Sequence, residues 1–143
     1  MRGLRKGSAA LLLLAAVLLS ACGNASAPVK PSTAPGYRQV SQAEAVQLME
    51  TESGYLIVDV RRADEFTAGH IPGAINVPNE EIGPEAPSAL PDRDQLLLVY
   101  CRSGNRSKQA AEKLAALGYS RVVEFGGILD WKGEIVTETE GGA

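Results

Sequence analysis

The sequence predicts an α/β fold in which a central parallel sheet carries helices on both faces. Two runs, Tyr55–Val60 and Leu96–Tyr100, are apolar almost throughout, as expected for strands of a parallel sheet that is covered on both sides. These runs alternate with helix-forming stretches, which is typical of β-α-β units. About 100 residues follow the N-terminal leader and a short linker, enough for one domain with a single core.

The order of the elements follows from local signals. Ser41 is placed to cap a helix and Glu44 completes a capping box, so this helix should end near Glu50. Pro84 and Pro87 break the stretch between residues 80 and 90 into a loop. The remaining elements are strands at 37–40, 55–60, 74–77, 96–100 and 121–125, a short helix at 63–68, and a helix from Ser107 that Gly118 ends.

The strand at Leu96–Tyr100 runs directly into a cysteine, Cys101, and then into a short polar loop. Backbone N–H groups at the start of a helix are unpaired, and they favour an anion that lies close to them. Such a cysteine is favoured as the thiolate, particularly next to arginine side chains. The residues placed around the sulfur are Arg102, Ser103, Gly104, Asn105 and Arg106.

A purely structural role for Cys101 is the simplest alternative, because free cysteines are usually buried in cores. Such a cysteine would not need two arginines and a glycine around it. Gly104 can adopt the positive φ that a tight loop requires, and the serine and asparagine side chains add polarity without bulk. We therefore interpret Cys101 as a nucleophile.

Several motifs of the chain appear together in one known family. They are Asp59-Val60-Arg61, the run Glu65-Phe66-x-x-Gly69 to Pro78, the loop Cys101–Ser107, and Gly126-Gly127-x-x-x-Trp131. In this order and over about residues 37–136 the chain resembles a single-domain rhodanese. The resemblance implies an α/β fold with a central parallel sheet and a persulfide carried by Cys101. It also implies that the amides from Cys101 to Arg106 hold the transferred sulfur.

Two details refine this resemblance. Related phosphatases share the fold but have one more residue between the cysteine and the arginine, which widens the loop for a phosphoryl group. Cys101 and Arg106 have four residues between them, the tighter spacing of the sulfur-type loop. The chain departs from the family after Trp131, where it lacks the usual later proline. That departure concerns the final helix and leaves the chemistry unaffected.

Other polar residues have simpler interpretations. Asp59 and Arg61 follow a core strand, and we expect an ion pair that supports the active-site loop, with direct contact to substrate as the alternative. His70 is the only histidine and is interpreted as a packed or capping residue. Trp131 is interpreted as a core anchor, with a place beside the pocket as the alternative. One histidine and one cysteine in the domain fall short of the usual ligand set of a metal site, and no cofactor is expected.

The N-terminus reads as a signal peptide over residues 1–21, with Arg2, Arg5 and Lys6 ahead of a short apolar core. Leu-Ser-Ala-Cys22 resembles the bacterial lipobox, in which the cysteine is acylated after cleavage. The alternative is an ordinary signal peptide in which Cys22 is incidental. Residues 22–36 then form a flexible tether, residues 37–137 the rhodanese-like domain and residues 138–143 a tail. We expect a membrane-anchored lipoprotein of the bacterial envelope.

The composition limits the partners. Three of the 14 basic residues lie in the leader, so the mature part carries 11 against 17 acidic residues and a net charge near −6. Nucleic acid is therefore not an expected partner. If Cys22 is acylated, Cys101 is the sole free thiol, and its sulfur must pass to an acceptor outside the chain, such as a thiol redox protein.

Two functions from different classes remain open at this point. In the first, the protein is a sulfurtransferase: the Cys101 thiolate takes sulfur from a thiosulfate-like donor and passes it to cyanide or a thiol. In the second, it is a sulfur-binding or partner-docking module that uses the fold without turnover. The intact cysteine and complete loop favour the first.

Overall fold

The computed structural model describes residues 36–138. Its strands are β1 (Tyr37–Gln39), β2 (Leu56–Asp59), β3 (Ala74–Asn76), β4 (Leu97–Cys101) and β5 (Val122–Gly127). Its helices are α1 (Gln42–Thr51), α2 (Ala63–Ala68) and α3 (Asn105–Ala116), and two 3₁₀ turns lie at Asn79–Glu81 and Ile128–Asp130. The predicted strands and helices are therefore present, with ends that shift by one or two residues.

The five strands form one sheet in the order β1-β5-β4-β2-β3, and every neighbouring pair is parallel. This confirms the predicted α/β class and the parallel sheet. The central strand, β4, is the most deeply buried, since all five of its residues are buried. In such sheets ligands lie beyond the carboxyl ends of the strands, and β4 carries Cys101 to that edge.

Helices cover both faces of the sheet, as predicted. On one face α3 packs Ala110, Ala111 and Leu114 against alternate residues of β2 and β4. On the other face α1 packs Ala45, with Leu48 and Met49 beside it, against the opposite side of the same strands. The core between α3 and the sheet fixes α3 relative to β4, so the loop between them has a defined shape.

Two local predictions need correction. Helix α3 begins at Asn105 and not at Ser107, because Gly104 takes a left-handed conformation (φ +103°) and serves as the N-cap. The loop predicted at 80–90 starts with a 3₁₀ turn that includes Glu80 and Glu81. After Trp131, where the chain departs from the family, residues 131–137 form no helix, and Val136 pairs with His70 in an antiparallel bridge.

The leader, Cys22 and the tether up to residue 35 lie outside the described residues, and so do residues 139–143 of the tail. Among residues 36–138, no helix combines the length and the apolar character needed to cross a bilayer.

Candidate active site

Cys101 lies at the carboxyl end of β4 and is almost completely buried. The backbone N–H of Gly104 donates a hydrogen bond to its sulfur at 3.0 Å, and the hydroxyl oxygen of Ser107 lies 3.4 Å from the same sulfur. Because β4 ends at Cys101 and α3 begins at Asn105, the thiol lies at the N-terminus of α3. An N–H donor and the positive end of a helix dipole both favour negative charge on the sulfur.

The loop between β4 and α3 packs against the end of β5 and the 3₁₀ turn that follows it. The carbonyl of Arg102 accepts a hydrogen bond from the Leu129 N–H at 3.2 Å, and Gln42 of α1 donates to the Gly127 carbonyl at 2.8 Å. A Cβ atom on Gly127 would lie 2.2 Å from the Arg102 carbonyl oxygen. Glycine at 127 therefore lets the loop approach the sheet, and this approach sets the position of the loop amides.

The two loop arginines have different surroundings. Arg106 forms a two-point ion pair with Glu65 of α2, with N–O distances of 2.6 and 2.9 Å. The hydrogen bond from Arg106 lowers the pKa of Glu65 to about 2, and Glu65 in turn raises the pKa of Arg106, with a smaller contribution from the negative charge of Cys101. Arg102 is exposed.

The other predicted loop residues differ in exposure. Ser103 and Asn105 are exposed, whereas Gly104 is buried beneath them. The exposed part of the loop therefore carries the polar side chains of Ser103 and Asn105 and the charge of Arg102.

Asp59 and Arg61 form the predicted ion pair, at 2.6 Å and with both side chains buried. Arg61 also donates to the Gly69 carbonyl at 2.6 Å. Burial alone would lower the pKa of Arg61, but the hydrogen bond and the charge of Asp59 outweigh it, and the pKa is raised. These contacts join the end of β2 to the segment after α2, so the pair supports the region that carries Glu65.

Sequence reasoning missed Glu124, which lies on β5 beneath the cysteine. Its side chain is fully buried. Its Oε1 accepts hydrogen bonds from the Ser107 hydroxyl at 2.6 Å and from the Gly126 N–H at 2.8 Å. The signal was present in the sequence, because Glu124 is the single charged residue in the apolar run Val122–Phe125.

His70 and Trp131 have the structural roles assigned from the sequence. The His70 ring stacks on Phe66 with a centroid distance of 3.8 Å, and its Nδ1 lies 2.9 Å from the Phe66 carbonyl oxygen, to which it donates. Trp131 packs against Phe125 with a centroid distance of 6.0 Å. Within residues 36–138, no group of three or more His, Cys, Asp or Glu side chains is placed to share a metal ion.

The arrangement is suited to nucleophilic chemistry on a small anion. One thiol is positioned by a strand, receives a backbone N–H, and faces a tight loop with arginines on its rim. Preorganised donors of this kind stabilise negative charge as it develops.

Comparison with known proteins agrees with this geometry. The family model described as the rhodanese-like domain matches residues 41–134. The chain is 38% identical over 73 residues to the thiosulfate sulfurtransferase PspE of Escherichia coli, which covers 51% of this chain and 70% of that protein. It is 40% identical over 92 residues to a sulfurtransferase of Allochromatium vinosum, covering 64% and 83% of the two chains.

A solved structure, described as a rhodanese with anions from E. coli, superposes with a TM-score of 0.53. It is 35% identical and covers 58% of this chain and 98% of its own. The family match spans strands β2 to β5, the cysteine loop and the Gly126-Gly127 segment that packs against that loop. With a match over most of its length, the chain belongs to the rhodanese family.

Proposed function

We propose that the protein is a sulfurtransferase that moves sulfane sulfur from a thiosulfate-like donor, through a persulfide on Cys101, to cyanide or a thiol. The observation that carries this proposal is the position of the Cys101 sulfur, 3.0 Å from the Gly104 nitrogen at the N-terminus of α3. The relatives named as sulfurtransferases support the reaction class.

The first half-reaction loads the cysteine. The Cys101 thiolate attacks the outer sulfur of thiosulfate, the bond between the two donor sulfurs breaks, and sulfite leaves with the bonding electron pair. The persulfide anion that forms lies in the loop, where the Gly104 N–H lies close enough to stabilise its charge. Arg102 and Arg106 attract the dianionic donor and offset its charge near the site.

The second half-reaction unloads the cysteine. Cyanide or an acceptor thiolate attacks the outer sulfur of the persulfide, the sulfur–sulfur bond breaks, and Cys101 leaves as a thiolate. Product is thiocyanate from cyanide, or a persulfide from a thiol. The same hydrogen-bond donor that stabilises the attacking thiolate then stabilises the leaving one.

The test is a sulfur-transfer assay with cyanide as acceptor and several donors in parallel. We expect turnover with at least one sulfane-sulfur donor and none in Cys101→Ser, which should keep its fold. Sulfur binding without turnover for every donor and acceptor would favour the docking-module alternative. Robust hydrolysis of aryl phosphates would instead move the protein to the phosphatases that share the fold.

We also propose that the protein is a lipoprotein of the bacterial envelope, anchored through Cys22. The basic start, the short apolar core and the Leu-Ser-Ala-Cys sequence support this. Burial of acyl chains contributes about 0.8 kcal/mol per CH₂, so a cysteine with several chains would hold a domain of this size at a membrane. Metabolic labelling with a fatty acid should mark the wild type and Cys101→Ser but not Cys22→Ala. An unlabelled, freely soluble wild type would contradict the anchor.

A further inference from the structure

Three side chains form a continuous chain of contacts from the cysteine into the core. The Cys101 sulfur lies 3.4 Å from the Ser107 hydroxyl oxygen, which lies 2.6 Å from Glu124 Oε1. Ser107 and Glu124 are both fully buried. The sulfur-transfer steps above use the thiolate but leave open where the thiol proton goes.

Glu124 is an unusual residue for this place in the fold. Its Oε1 has two hydrogen-bond donors, but its Oε2 has no partner and is shielded from solvent. An ionised carboxylate is costly to bury when its oxygens are incompletely paired. A proton on the carboxyl removes this buried charge, and the Glu124 carboxyl lies two contacts from the cysteine.

The direction of the hydrogen bonds links these groups. Ser107 has one hydrogen to donate, and its shortest contact, at 2.6 Å, is with the Glu124 carboxyl. Other acceptors of that hydrogen, the Gly104 and Gly126 carbonyls, are farther away at 3.0 and 3.4 Å. With its hydrogen directed to Glu124, the Ser107 oxygen is free to accept from the thiol.

The backbone of β5 fixes this geometry. Between the pairs Val99–Glu124 and Cys101–Gly127, β5 has one residue more than β4. The irregularity places Gly126 at φ +96°, which is costly for residues other than glycine. It also turns the Gly126 N–H onto the Glu124 carboxyl. The carboxyl is thus held where Ser107 can reach both it and the sulfur.

We propose that Glu124 and Cys101 share one proton through Ser107, so that the thiol becomes a thiolate as the buried carboxylate becomes a carboxylic acid. The thiol proton passes to the Ser107 oxygen while the Ser107 proton passes to Glu124 Oε1. No charge is added to the buried site by this step, and no atom is left over. When Cys101 leaves the persulfide as a thiolate, the same proton can return along the same path. Glu124 and Ser107 are positioning residues, because Cys101 alone contacts the donor sulfur.

The other charged and titratable groups near Glu124 and Cys101 lie on α3 and β1. Helix α3 turns Ser107, Ala110, Ala111 and Leu114 inward, whereas its Lys108 and Glu112 are exposed. On β1, burial and the charges of Glu112 and Glu124 raise the pKa of Tyr37, which keeps its phenol protonated where carboxyls and thiols titrate. Arg106 acts on the cysteine electrostatically from the start of α3.

The inference refines the proposed sulfur transfer, but its test does not depend on turnover. The rate of Cys101 alkylation by iodoacetamide is measured against pH in full-length protein carrying Cys22→Ala, where Cys101 is the only thiol. Two groups that share a proton titrate in two macroscopic steps. We expect two inflections in the parent protein and one in Glu124→Gln, which has the same shape but cannot ionise.

A matched control and a second measurement complete the test. Glu112→Gln removes a carboxylate from the same helix as Ser107 and should keep both inflections. Infrared spectra of the parent should show the carbonyl stretch of a protonated carboxylic acid that disappears at the inflection of higher pH. Every exposed carboxyl is already ionised at that pH, so this band belongs to the buried one. A single inflection in the parent, or two inflections in a folded Glu124→Gln, would overturn the proposal. An inflection at higher pH without loss of this infrared band would also overturn the proposal, and this measurement on the parent does not depend on whether Glu124→Gln folds.

Discussion

Replacement of Gly127 by alanine should move the cysteine loop and slow sulfur transfer sharply. The new Cβ would lie 2.2 Å from the Arg102 carbonyl oxygen, 2.5 Å from the Arg102 carbonyl carbon and 2.6 Å from the Ser103 Cα. All three are backbone atoms, so no side chain can rotate away. An ordinary contact requires the loop to retreat by more than 1 Å.

The magnitude follows from that displacement. Overpacking of this kind costs about 1–3 kcal/mol of folding free energy, and a misplacement of about 1 Å at a reacting group can cost roughly a hundredfold in rate. We therefore expect Gly127→Ala to lose about two orders of magnitude in sulfur transfer to cyanide while it remains folded.

The assay compares transfer rates and thermal unfolding with a matched control, Gly83→Ala. A Cβ at Gly83 would meet nothing within 4 Å, and this variant should behave as the wild type. Wild-type rate and stability in Gly127→Ala would refute the role assigned to the contact between β5 and the loop. A large loss of stability with an unchanged rate would show that the loop position does not control the chemistry.

Three further predictions concern charged groups. Asp59→Ala leaves the buried Arg61 unpaired and should cost about 3–5 kcal/mol in denaturant unfolding; a loss below about 1 kcal/mol would contradict a coupled buried pair. Because the pKa of Glu65 is lowered to about 2, its ion pair with Arg106 stabilises the fold above pH 4.5, and this stabilisation is lost as the pH falls toward 2. Between these pH values the free energy of unfolding of Glu65→Gln should therefore fall less than that of the wild type, by about 1 kcal/mol, because the pair is partly exposed. Arg102→Ala and Arg106→Ala should weaken thiosulfate use more than use of a neutral donor, with losses that shrink at high salt; equal losses for all donors would indicate loop collapse.

The fold was largely predictable from local patterns. Continuous apolar runs such as Leu96–Tyr100 identify strands covered on both sides, and the capping box of Ser41 and Glu44 gives the start of α1, where both of its hydrogen bonds are formed. The start of α3 was misplaced by two residues. Helix propensity favoured Ser107, but the left-handed Gly104 cap decides the start, and a conformation of one glycine is not visible in a propensity pattern.

The site was only partly predictable. The cysteine with its loop, and the buried pair of Asp59 and Arg61, each follow from a short motif of consecutive residues. The partner of Arg106 does not, because Glu65 lies 41 positions away and is brought near by the packing of α2. Glu124 is likewise distant from Cys101 in sequence, and its contact with Ser107 depends on the irregular pairing of β4 and β5. Long-range pairs of this kind require the tertiary structure.

The central claim, that Cys101 carries the sulfur, is tested most directly by intact-mass and peptide spectrometry of the protein after exposure to a sulfane-sulfur donor. The account predicts a gain of one sulfur atom, located on the peptide that contains Cys101, which disappears when cyanide is added and is absent from Cys101→Ser. A folded Cys101→Ser protein that still transfers sulfur, or a wild type that turns over while the added sulfur never appears on Cys101, would contradict it.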